Sequence, residues 1–354
     1  MTTGLDGIIA AETVLSHVDG AAGELILRGL PVERAAQTLD FEGITALLWQ
    51  GFHPLGGRPD ALRDAIGRAR VAVAAHLPTL LPAAAGLSDV EALRLMLSSL
   101  PDGAAADDAV RVVAAVPVFI AARVRHAQGL EPIAPDPTAG HAADFLRMMT
   151  GRVADPALAR ALDTYLVTVS DHGLNASTFA ARIVASTRAG MVSSVVAGLC
   201  ALKGPLHGGA PGPVLDMLDA IGSADAAPAW IAGELAAGRR LMGFGHRIYR
   251  VRDPRAEVLK VAVRPLRSPR IELAEQVERA ALSALAAHRP DRPLETNVEF
   301  YTALLLDAVG LHRDLFTPIF AMGRVAGWSA HVMEQEATGR LMRPASRYVG
   351  PMAA

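Results

Sequence analysis

One cysteine in 354 residues excludes an internal disulfide and fits a reducing compartment. That residue, Cys200, stands in VVAGLCALKG with no charge close in sequence to stabilise a thiolate, so it is expected to be an inert core thiol rather than a nucleophile. Net charge is also nearly missing. With 34 basic and 36 acidic residues, a formal −2, the chain has no global pull toward nucleic acid or an anionic membrane, and any anionic ligand must be met by local arginines. No apolar run reaches the ~20 residues of a membrane span. Val112 to Ala122 contains Pro117, Ala189 to Leu202 contains Ser193 and Ser194, and both read as buried helices. The opening MTTGLDGIIAAET lacks a basic stretch ahead of an apolar one, and Asp6 and Glu12 argue against a transit peptide, so a cytoplasmic protein is expected.

What is present is apolar and helical. Hydrophobic residues make up 51% of a chain longer than a single core usually supports, so two domains around a shared cleft are expected. Ser88-Asp89-Val90-Glu91 is a capping-box pattern, followed by Leu93, Met96, Leu97 and Leu100 on one face. Asp155-Pro156 opens a second helix that carries Leu158, Leu162, Tyr165 and Leu166 inward. Asn175 caps a third, with Phe179, Ile183 and Val184 as its expected buried stripe. Strand signals are confined to Val14–Val18 and Glu24–Arg28, which flank Asp19-Gly20-Ala21-Ala22-Gly23 as a small hairpin. Residues 101–108 and 222–228 read as Ala/Asp-rich loops, and the Gly/Pro cluster Gly204–Pro213 breaks helix continuity. The fold class that follows is all-α, with a minor β-hairpin near the N-terminus.

Chemistry concentrates in four places. GPLHGGA around His207 and GFGHRIYRVRDPR around His246 each set a histidine among glycines, where backbone can approach a ligand and the ring is not walled off. SDHGLNAST adds His172, and ETNVEFYTALLL places the Glu299 carboxylate at the entry to an apolar helix, as a tuned base or as part of a helix N-terminal turn. His246 is followed by Arg247, Arg250, Arg252 and Arg255, a basic density suited to carboxylate or phosphate. Apart from Tyr249 that run lacks stacking aromatics, which argues against nucleic-acid binding. His331 and Glu334 share a helix face at metal-ligand spacing, but the pattern is common and is read as a solvated or interface face. Together these groups suit proton chemistry on a carbonyl compound.

These motifs, in this order, resemble the citrate synthase family. DHGLNASTFAARIVAST, GPLHGGA and GFGHRIYRVRDPR are similar to its three histidine-bearing segments, RPASRYVGP to its C-terminal end, and GLDGIIAAETVLSHVDGAAGELILRG to its N-terminus. The resemblance implies an all-α homodimer with shared active sites. It also implies a large domain of residues 1–208 and 311–354, and a small domain of 209–310 that closes over substrate. It implies Glu299 as the base, His207 as the enol-stabilising group, and His246 as the group that polarises and protonates the ketone of oxaloacetate. His172, Arg255 and Arg324 would bind the dicarboxylate, with Arg343 reaching in from the other subunit. Arg239, Arg240, Leu241, Met242 and Gly243 match the segment that holds coenzyme A. No metal or prosthetic cofactor is implied, the coenzyme A thioester being a substrate. The implied reaction condenses acetyl-CoA with oxaloacetate and hydrolyses the citryl thioester. The alternatives are a 2-methylcitrate synthase using propionyl-CoA, a weakly active dicarboxylate- or CoA-binding paralogue, and a three-histidine metal hydrolase.

Two departures from the family pattern stand out. Glu299 occupies a position where the family usually has aspartate, and the added C–C bond of about 1.5 Å is large beside the ~1 Å misplacement that can cost ~100-fold in rate. Ala210-Pro211-Gly212 follows His207 where the family usually continues with a polar residue.

Overall fold

Helices begin where the sequence offers caps. At Asp89–Ser98 the Glu91 carboxylate accepts the Ser88 N–H at 3.4 Å and its hydroxyl at 2.6 Å; at Pro156–Val169 Asp155 accepts the Ala157 N–H. At Ala176–Ser186 Asn175 accepts the N–H groups of Ser177 and Thr178. Each cap satisfies N–H groups that the first helical turn leaves unpaired. The computed structural model describes residue 5 and residues 7–208, 212–246, 248–290 and 294–352. Among these, sixteen α-helices, two short 3-10 helices and one three-stranded antiparallel sheet make up the regular structure, so the fold is all-α as expected.

The centre of the molecule is the helix Phe316–Thr338, in which every residue from Phe316 to Gln335 except Thr317 is buried. A helix buried all round is a core element rather than a surface one. It packs against Ala105–Ala127, Pro156–Val169, Ala176–Ser186 and Met191–Leu202. Both apolar runs lie in such helices, with Pro117 buried inside Ala105–Ala127. Cys200 is a correction. It is exposed, because Val195, Leu199 and Leu202 take the inward face of Met191–Leu202 and leave Cys200 on the outward one. The two expected loops are shorter than read, since helices already begin at Ala105 and Ala227.

Two further corrections share one cause. The inner face of Ala176–Ser186 is Ser177, Thr178, Ala181, Arg182 and Ala185, whereas Phe179, Ile183 and Val184 are only partly buried. His331 and Glu334 are buried, not solvated. Arg182 Nη1 lies 2.9 Å from His331 Nδ1 and donates to Glu334; His331 Nε2 lies 3.2 Å from Asp171 Oδ1. Arg182, His331 and Glu334 each find a partner on a facing element, which removes most of the cost of burying them.

A second group of helices, Gly212–Ile221, Ala227–Ala236, Pro254–Val263, Pro269–His288 and Val298–Ala308, packs largely on itself. Pro254–Val263 and Val298–Ala308 also contact Pro156–Val169. Within the group, the buried Glu278 accepts from Lys260 Nζ at 2.8 Å, the Tyr301 hydroxyl at 2.6 Å and Thr296 Oγ1 at 2.8 Å. That knot secures the start of the helix bearing Glu299.

The hairpin forms as Ser16–Asp19 and Glu24–Leu27, its first strand starting two residues later and ending one later than read and its second ending one residue earlier, paired Ser16 to Leu27 and Asp19 to Glu24. A short third strand, Leu30–Pro31, adds to it. Its turn docks on the chain after His246: Arg250 N–H donates to Gly20 O at 2.8 Å, and a Cβ on Gly20 would stand 2.3 Å from the Ile248 carbonyl oxygen. Glycine is required by that close approach.

Candidate active site

The His246 loop, the Arg255 helix and the Glu299 helix are joined by short-range polar contacts. Asp253 caps Pro254–Val263, receiving the Arg255 N–H at 3.0 Å. The same carboxylate grips the Arg255 guanidinium through Nε at 3.0 Å and Nη2 at 2.9 Å. Its Oδ2 also accepts the Val298 N–H at 3.1 Å, which ties the starts of the two helices together. A cation in the first turn of a helix opposes the helix dipole, and the bidentate Asp253 offsets this. Asn297 caps Val298–Ala308 through the Glu299 N–H and donates its own amide to Gly245 O at 2.7 Å. The backbone pairs as well, Gly245 N–H to Glu295 O at 2.7 Å and Asn297 N–H to Gly243 O at 2.9 Å. Gly243 has φ of +83°, and a Cβ there would lie 2.8 Å from the Phe300 ring. Only glycine meets both conditions without strain.

His246 presents a defined face. Its Nδ1 accepts the N–H groups of Ile248 at 3.0 Å and Tyr249 at 3.1 Å, so in the neutral ring the proton is assigned to Nε2. That Nε2 lies 3.2 Å from Arg255 Nη2. Both atoms are donors, and together they suit an acceptor oxygen. His172 is buried with its ring 6.0 Å from that of His246, and its Nε2 is 3.1 Å from the Tyr249 hydroxyl. Arg324 enters from the central helix, donating Nε to Val169 O at 2.6 Å with its guanidinium 4.9 Å from the Phe320 ring centre. Among the described residues no carboxylate lies within ion-pair distance of it, although Asp171 is a nearby negative charge.

His207 has its ring 6.2 Å from that of Phe320, the residue on which the Arg324 guanidinium rests. The His207 Nε2 is 2.8 Å from Ser177 Oγ, which also receives the Trp328 indole N–H at 3.2 Å. Thr317 Oγ1 holds Gly208 O at 2.9 Å, fixing the turn to the central helix. Gly209, Ala210, Pro211 and Arg247 lie outside the described residues, and the departure at 210–211 with them.

Electrostatics show these groups sensing one another. Burial pushes the Glu299 carboxyl up to about 7, Arg255 and Arg324 pulling against that rise and Asp253 adding to it. Burial lowers His207 to about 4 with help from Arg324, and lowers His246 to about 4 with help from Arg255. His172 is driven well below its ordinary range by burial, then by Arg255 and Arg324. Arg324 itself falls to about 10 through burial. Near pH 7 the cluster therefore holds three neutral imidazoles, two guanidiniums and a carboxyl group held well above its ordinary range. That is a set of donors for a charged oxygen beside one base of tuned strength.

Of the residues read from the sequence, His172, His207, His246, Arg255, Glu299 and Arg324 converge. Leu241 is buried, Met242 packs on the core, and Gly243 meets the Asn297 cap, so this segment runs up to Glu299. Arg239 and Arg240 are exposed, Arg239 pairing with Glu234 at 2.6 Å. Arg343 lies in the extended C-terminal segment, exposed and without a polar contact to the cluster among the described residues. Asp253 and Tyr249 were missed as site residues. The signal for Asp253 was present, since Asp253-Pro254 repeats the cap-and-proline pattern of Asp155-Pro156. Among the described residues no three His, Cys, Asp or Glu side chains are grouped to hold a metal ion.

Comparison with known proteins gives the family of the chain. The family described as "Citrate synthase, C-terminal domain" matches residues 4–345. "Putative citrate synthase 2" of Mycobacterium tuberculosis is 39% identical over 98% of this chain and 92% of its own. A 2-methylcitrate synthase of the same species is 34% identical over 98% of this chain and 90% of its own. A structure of citrate synthase from Thermoplasma acidophilum, in ternary complex with carboxymethyl coenzyme A and oxaloacetate, superposes with a TM-score of 0.86 at 27% identity. That likeness covers 99% of this chain and 96% of the other. A family match across nearly the whole chain, on an all-α fold that gathers the three histidine segments, establishes that the chain belongs to the citrate synthase family.

Proposed function

We propose that the protein condenses acetyl-CoA with oxaloacetate and hydrolyses the resulting citryl thioester to citrate and coenzyme A. The observation that carries this reading is the buried Glu299, raised by burial to about 7 and within the electrostatic reach of Arg255 and Arg324. An acyl-CoA methyl is a poor carbon acid, so its enol needs a positioned base, a donor at the thioester oxygen and exclusion of water. Glu299 removes the methyl proton, and neutral His207 stabilises the enol at the thioester oxygen. The enol carbon attacks the ketone carbon of oxaloacetate, and His246 gives its Nε2 proton to the oxygen that becomes the hydroxyl. Water then attacks the thioester carbonyl and coenzyme A leaves as the thiol. No metal or prosthetic group enters these steps.

His172, Arg255 and Arg324 are proposed to hold the two carboxylates, joined by Arg343 of the partner subunit in a cytoplasmic homodimer. Arg239 to Gly243 are proposed to hold coenzyme A. Residues 209–310 are proposed to close as a small domain on the large domain of 1–208 and 311–354, completing the site. Support comes from the placement of His246 and Arg255 in the former and of His172 and Arg324 in the latter.

The second reading is 2-methylcitrate synthesis from propionyl-CoA, supported by the 34% identity to a 2-methylcitrate synthase. A thiol-release assay with oxaloacetate tests both. Acetyl-CoA should exceed propionyl-CoA in kcat/KM by about 10-fold or more, the discrimination a pocket achieves against one methylene. The reverse preference would establish the second reading. Release with neither would leave a binding paralogue and sink the proposal.

A further inference from the structure

Tyr249 touches three residues of the cluster while belonging to none of the roles above. Its side chain is buried. Its hydroxyl is 3.1 Å from His172 Nε2, and its ring centre is 5.7 Å from the His172 ring and 4.8 Å from the His246 ring. The Arg255 guanidinium carbon lies 5.7 Å from the same ring centre. Its backbone N–H is one of the two donors that leave the His246 proton on Nε2. Among the described residues the phenol makes no hydrogen bond other than that to His172.

We propose that Tyr249 is a positioning residue for the 2-oxo acid half of the site, orienting the His172 ring through its hydroxyl and the His246 ring through its backbone and aromatic face. This rests on the reading of His172 and His246 as the dicarboxylate- and ketone-binding histidines. The geometry divides the labour. Removing the hydroxyl frees the His172 ring to turn about its side-chain torsions while the backbone bonds to His246 remain. Removing the whole ring also takes away the surface against which His246 and Arg255 are packed. A buried hydroxyl lost from a neutral partner usually costs about 3- to 10-fold in an equilibrium constant. Neither Glu299 nor His207 makes a hydrogen bond to Tyr249 among the described residues, so the acyl-CoA half should not sense the change.

The test is Y249F, with Y249L as a second variant, in the full-length enzyme. For Y249F the KM for oxaloacetate should rise about 3- to 10-fold while the KM for acyl-CoA stays unchanged. Nitrogen NMR of ring-labelled enzyme should show the His172 Nε2 signal shifted and His246 still protonated at Nε2. Y249L should lower kcat as well, because the His246 ring loses its support. Rises of equal size in both KM values, or an unmoved His172 signal with unchanged oxaloacetate KM, would overturn the proposal. The ring signals of the wild-type protein and Y249F are read without turnover. A protein inactive in the thiol-release assay would thus refute the proposed reaction, and the His172 shift would still decide the role of Tyr249.

Discussion

Asp253 binds the Arg255 guanidinium through two hydrogen bonds and, with the same carboxylate, the N–H of Val298, one residue before Glu299. Through this one side chain a substrate-binding cation and the base of the proposed reaction share a support. Both partners are nearly fully buried, which makes the pair costly to break from one side.

Asp253→Asn should therefore weaken two functions together. Replacing one partner of a buried ion pair leaves the other charge uncompensated, a loss of about 3–5 kcal/mol in comparable cases. Denaturant unfolding should show a lower midpoint, and calorimetry should show a large loss of oxaloacetate affinity. Solvent-deuterium exchange into the acetyl methyl, measured with a non-reactive oxaloacetate analogue, should fall as well, because the Glu299 helix has lost an anchor. Intact exchange alongside lost oxaloacetate binding would show that the two supports are separate.

Glu299 has opposite effects on activity and stability as pH rises. Its folded pKa is raised from 4.5 to about 7, so the stability it contributes is complete below 4.5 and lost as pH rises through about 7. Activity runs the other way, because only the ionised form is a base, and exchange should climb through the same interval. Glu299→Gln should abolish exchange by orders of magnitude with little change in oxaloacetate affinity, and should be the more stable protein above pH 7. Glu299→Asp should lower turnover, since a carboxylate whose reach is shorter by about 1.5 Å should fall short of the acyl methyl. Undiminished exchange in Glu299→Gln would assign the base elsewhere.

Binding should be ordered. The proposed oxo-acid ligands come from both groups of helices, so a dicarboxylate should draw them together and complete the acyl-CoA site. Coenzyme A titrated by calorimetry should bind more tightly with oxaloacetate present than without it. Equal affinity in the two titrations would remove the idea of closure.

Arg343 is exposed and apart from its own chain's cluster, as a residue serving a second subunit would be. Arg343→Ala and His246→Ala chains should each be nearly inactive. After subunit exchange, mixed dimers should regain one intact site per pair. No activity above that of the parents, despite proven exchange, would show that the sites are not shared.

Much of the cluster was legible in the chain because its signals are local. A histidine among glycines, arginines spaced after His246, and Asp or Asn ahead of a helix are statements about neighbouring residues, and the backbone turns them directly into geometry. The same holds for the caps at Asp155, Asn175 and Ser88 and for the all-α fold, which follow from short-range hydrogen bonding and a helical period.

What only the tertiary structure decided is which helix face turns inward and which polar groups meet. A helical period leaves more than one face available when residues on several sides are small or apolar. Ala176–Ser186 turned its Ser177 and Arg182 side inward because Trp328, His331 and Glu334 wait there with matching donors and acceptors. Cys200 faced outward for the complementary reason, its neighbours Leu199 and Leu202 having taken the core side. Tyr249 acquired its place from His172, which lies 77 positions away in sequence and 3.1 Å away in space. Side-chain partnership across such separations is set by packing against the whole core, and no window of neighbouring residues contains it.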